Sequence, residues 1–214
     1  MKTRIKICGI TRVDDALAAV QAGADAIGLI FYRGSKRFVA LDDAVSITRA
    51  LPPFVTTVAL FVNEKKEKIE KIISILRPDL VQFHGDESEP FCAQFGIPYL
   101  RAIRVGNGKG ISNDLLQFAD RFQSAKSLLL DTLSEKHYGG SGKIFDWEIV
   151  PHQLHGRIIL SGGLNPENVT DAIRIVRPWA VDVSSGVERS EGIKDHQKII
   201  QFIEAVRHAD VRSS

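Results

Sequence analysis

Short apolar runs rich in Val, Ile, Leu and Ala recur along the whole chain, each followed by a stretch whose apolar positions repeat at helical spacing. Strands covered on both faces read as continuous apolar runs, and the helix after each returns the chain for a parallel neighbour. The runs predict strands over Arg4–Cys8, Asp25–Phe31, Thr56–Val62, Leu80–Phe83, Tyr99–Val105, Ser127–Asp131, Arg157–Leu160 and Ala180–Val183. Helices are predicted over Asp14–Ala22, ended by Gly23, over Asp42–Leu51, ended by Pro52-Pro53, and over Glu64–Leu76, ended before Pro78. Asn165-Pro166-Glu167 signals a further helix start, because Asn caps, Pro suits the first turn and Glu favours the positive end of the dipole. Only Thr132–Trp147 lacks a helical pattern, and its Gly139-Gly140-Ser141-Gly142 predicts a long mobile loop after the sixth strand.

Eight strand–helix pairs favour a closed barrel over an open doubly wound sheet, which commonly has five or six strands. The expected fold is α/β, a single (β/α)8 TIM barrel over residues 1–214. In such a barrel the chemistry sits where strands end and loops begin, so the last residues of each strand become candidates.

Composition then narrows the partners. Lys plus Arg number 28 against 26 Asp plus Glu, a balance that lacks the one-signed footprint of a nucleic-acid binder. Two cysteines, Cys8 and Cys92, in a chain this size predict free thiols in a reducing compartment. Met1–Ile5 leads directly into a charged strand with no apolar leader, and no stretch approaches membrane-spanning length. The protein is therefore expected to be soluble and cytoplasmic, without membrane or nucleic-acid partners.

Strand seven runs into Ser161-Gly162-Gly163 and strand eight into Ser184-Ser185-Gly186. Small residues in these two loops bring backbone amides close to an anion, and barrels frequently hold phosphate there; read singly, each is also a tight turn. Cys8 ends strand one and Asp131 ends strand six, after Leu128-Leu129-Leu130. A strand-end cysteine also reads as a small buried hydrophobe, whereas a carboxylate beside a buried apolar strand is costly unless it has a task. Facing one bound sugar, the two would form a general base and a general acid. Arg37, in the loop after strand two, suits bidentate capture of a carboxylate or is simply part of an exposed basic loop. Gln82 and His84 share one face at the end of strand four, and Asp182 lies within strand eight; each reads as a ligand or as a paired interior group. No cluster has metal-ligand spacing and no nucleotide fingerprint occurs, so no metal or cofactor is expected.

Taken together, these residues resemble the phosphoribosylanthranilate isomerase family. The resemblance runs from Lys6-Ile7-Cys8-Gly9-Ile10-Thr11 through Ser35-Lys36-Arg37, Val81-Gln82-Phe83-His84-Gly85, Leu130-Asp131 and Gly140–Trp147 to Leu160–Val169 and Val181–Glu188. Each glycine motif recurs in other phosphate-binding barrels, whereas the ordered set over nearly the whole chain is specific. The resemblance implies a cofactor-free Amadori rearrangement of N-(5-phosphoribosyl)anthranilate in tryptophan biosynthesis. It implies Asp131 as acid, Cys8 as base, Arg37 on the anthranilate carboxylate, and Gly162, Gly163, Ser185 and Gly186 around the phosphate. The sequence departs at Lys36, where many relatives carry Pro, and at Ser141, where Thr is common. The rivals are a histidine-pathway phosphoribosyl isomerase, disfavoured because strand one ends in Cys rather than Asp, and a non-catalytic phosphosugar-binding barrel, which needs no acid and base. Monomer and homodimer both remain open.

Overall fold

The computed structural model describes residues 2–106, 111–133 and 144–212. Eight parallel strands close into one barrel: β1 (Arg4–Cys8), β2 (Ala26–Ile30), β3 (Thr56–Phe61), β4 (Leu80–Phe83), β5 (Tyr99–Val105), β6 (Ser127–Thr132), β7 (Ile158–Leu160) and β8 (Ala180–Val183). Closure is direct, because β1 pairs with β2 through Lys6↔Ala26 and with β8 through Lys6↔Asp182. Each predicted strand is present, with ends shifted by no more than a residue or so.

Seven α-helices are present among the described residues: α1 (Val13–Ala22), α2 (Leu41–Ala50), α3 (Lys66–Leu76), α4 (Glu89–Ala93), α5 (Ile111–Arg121), α6 (Val169–Val176) and α7 (His196–Arg212). Between β6 and β7 the described chain makes two single 3-10 turns, Trp147–Ile149 and His152–Leu154. The glycine-rich stretch Gly139–Gly142 lies outside the described residues.

The helix expected at Asn165 begins later. Asn165 caps as predicted, its Oδ1 accepting from the N–H groups of Glu167 and Asn168, but residues 166–168 form a turn and α6 starts at Val169. The side-chain cap satisfies the free amides of that turn before continuous helical hydrogen bonding sets in. A hairpin absent from the sequence reading follows β8: β9 (Glu188–Ser190) pairs antiparallel with β10 (Ile193–Lys194).

The strand period of two sorts side chains onto two surfaces. Outward residues such as Ile5, Ile7, Ile27, Phe61, Phe83 and Val181 are buried beneath the helices and form the main core. Phe61 and Phe83 continue an aromatic row from Phe31, with centroids 5.8 and 6.4 Å apart, that packs one flank of the barrel against its helices. Inward residues at the amino ends of the strands, Val58, Leu100, Ala102, Leu129, Ile159 and Ala180, form a second, smaller core at the barrel floor.

Candidate active site

Two residues further along the same strands the inward face turns polar. Leu80 gives way to Gln82, Leu129 to Asp131, Ile159 to Ser161 and Ala180 to Asp182. These groups line a cleft of about 430 Å³ at the carboxyl end of the barrel, together with Cys8, His84 and Arg37. Apolar side chains Ile30, Leu60, Val62 and Tyr32 make one wall of it, a surface suited to a planar ring.

Asp131 is held from two directions. Its Oδ1 accepts from the N–H of Thr132 at 2.9 Å, and its Oδ2 lies 3.0 Å from His84 Nε2. The Gln82 amide nitrogen meets His84 Nδ1 at 2.9 Å, so Nδ1 accepts and the Nε2–H donates to the carboxylate. Gln82, His84 and Asp131 thus form one buried relay whose end opens into the cleft, and the Gln82 carbonyl oxygen has no partner among the described residues. The two strand-four candidates both line the cleft and are hydrogen-bonded to each other and, through His84, to Asp131.

Cys8 is buried beside a charged pair. Lys6 Nζ donates to Asp182 Oδ1 at 2.8 Å, and the Ser161 hydroxyl donates to Asp182 Oδ2 at 3.3 Å, so Asp182 is a paired interior charge as well as a wall of the cleft. Glycine at 28 makes room for this arrangement: a Cβ there would lie 2.7 Å from Cys8 Sγ and 3.1 Å from Lys6 Nζ. Burial pushes the Cys8 thiol above its ordinary range, Lys6 pulls it down, Asp182 pushes it up and Lys194 pulls it down, with burial prevailing. Burial likewise disfavours the Lys6 ammonium, but Asp182 and Cys8 more than offset it and hold Lys6 above the ordinary lysine range. Cys92, on α4, is buried away from this cleft and its thiol is pushed up to about 12, chiefly by burial.

The two glycine-bearing loops meet as neighbours. Ser161, Gly162, Gly163, Ser184 and Ser185 line the cleft. The N–H groups of Gly162 and Gly163 donate to no acceptor among the described residues, leaving them to a ligand. Gly186 does not line the cleft. A Cβ on it would stand 1.9 Å from the Leu164 carbonyl oxygen, so glycine there lets the β8 loop press against the β7 loop.

Arg37 reaches the cleft gripped by a partner the sequence reading did not single out. Its Nε and Nη2 donate to Glu188 Oε1 and Oε2 at 2.9 and 2.8 Å, and buried Lys194 donates to Glu188 Oε1 at 2.9 Å. Lys36 pairs with Glu191 on the same hairpin at the surface. Glu188 and Lys194 lie on a hairpin too short to leave a strand pattern, so their pairing with Arg37 and with each other is not readable from the sequence. Arg101 and Glu87 were missed too. They meet at 3.5 Å behind β4, where Arg101 donates to the Phe83 and Gly85 carbonyls and so fixes the backbone on both sides of His84.

A cleft with a thiol, a carboxyl, a guanidinium and free loop amides fits a small, doubly anionic, phosphorylated molecule. A family model described as N-(5'phosphoribosyl)anthranilate (PRA) isomerase matches residues 5–205. The N-(5'-phosphoribosyl)anthranilate isomerase of Dechloromonas aromatica is 53% identical over 210 residues, covering 98% of this chain and 99% of its own. The crystal structure of phosphoribosyl anthranilate isomerase from Thermotoga maritima superposes with a TM-score of 0.85 at 44% identity, covering 96% and 99% of the two chains. A crystal structure of the isomerase in complex with reduced 1-(o-carboxyphenylamino)-1-deoxyribulose 5-phosphate has a TM-score of 0.80 at 40% identity, with coverage of 96% and 99%.

Proposed function

The chain belongs to the N-(5'-phosphoribosyl)anthranilate isomerase family, and from that premise we propose that Cys8 is the general base and Asp131 the general acid of its reaction. That reaction converts N-(5'-phosphoribosyl)anthranilate to 1-(2-carboxyphenylamino)-1-deoxyribulose 5-phosphate in tryptophan biosynthesis. The carrying observation is that Cys8 on β1 and Asp131 on β6, three strands apart around the barrel, line one cleft together with the phosphate-type loops and Arg37.

In this reading the phosphate lies against the amides of Gly162, Gly163 and Ser185, and the anthranilate carboxylate meets Arg37. Asp131, bound to substrate as the protonated acid, gives its proton to the ribose ring oxygen and is left as the carboxylate that accepts from His84 Nε2–H and the Thr132 N–H. The C1–O bond breaks and the nitrogen lone pair moves in, leaving an open-chain iminium. The cation acidifies the C2 proton, which Cys8 removes as thiolate; the electron pair forms an enolamine that tautomerises to the ketone. The order answers the electrostatics at Cys8. Burial disfavours the thiolate and Lys6 favours it; the fraction already ionised is the reactive form, and the iminium places a second positive charge before it when it takes the C2 proton. Binding at both anionic ends fixes the sugar between the two groups, so that orientation precedes both proton transfers.

Residues 1–214 are read as one catalytic domain working in the cytoplasm. Two free thiols support the location, and no helix among the described residues is long and apolar enough to cross a membrane. The test mixes purified protein with freshly prepared phosphoribosylanthranilate and follows the loss of anthranilate-type fluorescence. The expected result is rapid loss in the wild type and background loss with Cys8→Ala. Undiminished turnover by Cys8→Ala would remove the thiol from the mechanism.

A further inference from the structure

Arg37 would be a poor anchor if it acted alone. It projects from an irregular loop, and a free arginine gives up about 2 kcal/mol of rotamer freedom when it is fixed. An arginine paired only with a glutamate is also a neutral unit, with little net pull on an anion. The structure answers both difficulties with residues of the hairpin after β8. Glu188 takes the Nε/Nη2 edge of Arg37 in a fork-to-fork pair, with both side chains largely buried. The opposite edge remains: Nη1 has no partner among the described residues, and Arg37 lines the cleft. On the far side of Glu188, the fully buried Lys194 donates to Oε1 at 2.9 Å and to the Ser184 carbonyl at 3.0 Å. Two cations thus enclose one anion, leaving one positive charge in surplus beside the cleft.

We propose that Glu188 and Lys194 are positioning residues for the substrate's carboxylate: Glu188 fixes the Arg37 guanidinium with its free edge toward the cleft, and Lys194 cancels the Glu188 charge so that the unit stays cationic. Because Lys194 also holds the Ser184 carbonyl, at the start of the phosphate-type loop, one buried ammonium ties together the mountings of the two anion sites. The spacing between carboxylate and phosphate is thereby built into the fold, selecting a substrate that is anionic at both ends. Burial works against the Lys194 ammonium and holds it below the ordinary lysine range, while the Glu188 charge and hydrogen bond pull it back up, so the ammonium depends on Glu188. Burial pushes the Glu188 carboxyl up, but hydrogen bonds from Arg37 and the charge of Lys194 prevail and hold it below the usual range.

The inference rests on reading Arg37 as the carboxylate partner, and the experiment separates the two. KM, kcat and melting temperature are measured for Arg37→Ala, Glu188→Gln, Glu188→Asp and Lys194→Met, with inhibition by inorganic phosphate as a check on the other anion site. Glu188→Gln and Lys194→Met are each expected to raise KM about tenfold, the worth of one charge-assisted contact, while kcat changes by less than about threefold. Glu188→Asp should recover part of the loss, and phosphate inhibition of Glu188→Gln should match the wild type. A normal KM for Glu188→Gln beside a raised KM for Arg37→Ala would overturn the positioning role while leaving the Arg37 reading intact. A normal KM for Arg37→Ala would overturn both. Parallel loss of melting temperature and phosphate inhibition in Glu188→Gln and Glu188→Asp would make the contact purely structural and equally overturn the proposal.

Discussion

The floor and the mouth of the barrel interior are built by the same strands, two residues apart, and they obey opposite rules. At the floor, Val58, Leu100, Ala102, Leu129, Ile159 and Ala180 are buried against one another as an apolar cluster. At the mouth, Lys6, Gln82, His84, Asp131 and Asp182 are buried just as deeply, yet nearly every polar atom is matched by another. The floor holds the strands at a fixed spacing; the mouth uses that spacing to bring Asp131 and Cys8 to one cleft. Stability and chemistry are thus separated by one inward-facing step along a strand, as between Leu129 and Asp131.

The comparison is broken most sharply at Asp131. Asp131→Asn is expected to lower kcat by about 10³-fold, within the usual worth of a general acid, while the thermal midpoint stays near that of the wild type. Steady-state kinetics beside calorimetry would check it, and a comparable loss of midpoint would show that the mouth is structural after all.

Lys6→Met comes next. It leaves Asp182 buried beside only the Ser161 hydroxyl, and removing one partner of a buried pair costs about 3–5 kcal/mol. Adding Asp182→Asn should restore much of that stability but not turnover, because the cation beside Cys8 is still missing. Denaturant titration of both single variants and the double variant gives the coupling energy directly.

At the floor, Leu129→Ala should cost about 2–5 kcal/mol of stability and leave kcat of the folded protein close to the wild type. A large kcat loss there would mean that the two layers are less separate than their contacts suggest.

A smaller effect sharpens the view of the thiol. Since Cys8 is held above the ordinary thiol range, the thiolate fraction of the free enzyme grows with pH, and kcat/KM should rise from neutral into mildly alkaline solution. A flat profile over that range would argue against a Cys8 base. Cys92 supplies the contrast. Its thiol, pushed up to about 12, favours the folded state below the ordinary thiol range, and that contribution fades as pH climbs through its folded value. Cys92→Ala should therefore soften the alkaline loss of stability and leave kcat unchanged.

The barrel itself was legible because its signals are local. Apolar runs mark strands, Gly23 and the prolines mark helix ends, and the placement of two glycine loops after the last strands marks the phosphate-type end. Where local signals weaken, so did the reading. The α6 start slipped from Asn165 to Val169 because a capped turn and a helix share one sequence signature. The β9–β10 hairpin has strands of three and two residues, too short to show alternation. With the hairpin unseen, Glu188 and Lys194 stayed hidden. The motif at Gly186 is readable in the sequence, but its close approach to the Leu164 carbonyl exists only once two distant loops meet.

By itself the sequence determined which segments are strands and helices, that they alternate often enough to close, and which reactive side chains stand at strand ends. These are properties of periodicity and residue type, fixed within a few residues of chain. Only the tertiary structure decided who faces whom: His84 on Asp131 across 47 residues, Arg37 on Glu188 across 151, Lys6 on Asp182 across 176. Barrel closure brings these groups together, and the charge state and aim of each depend on neighbours that no local pattern encodes.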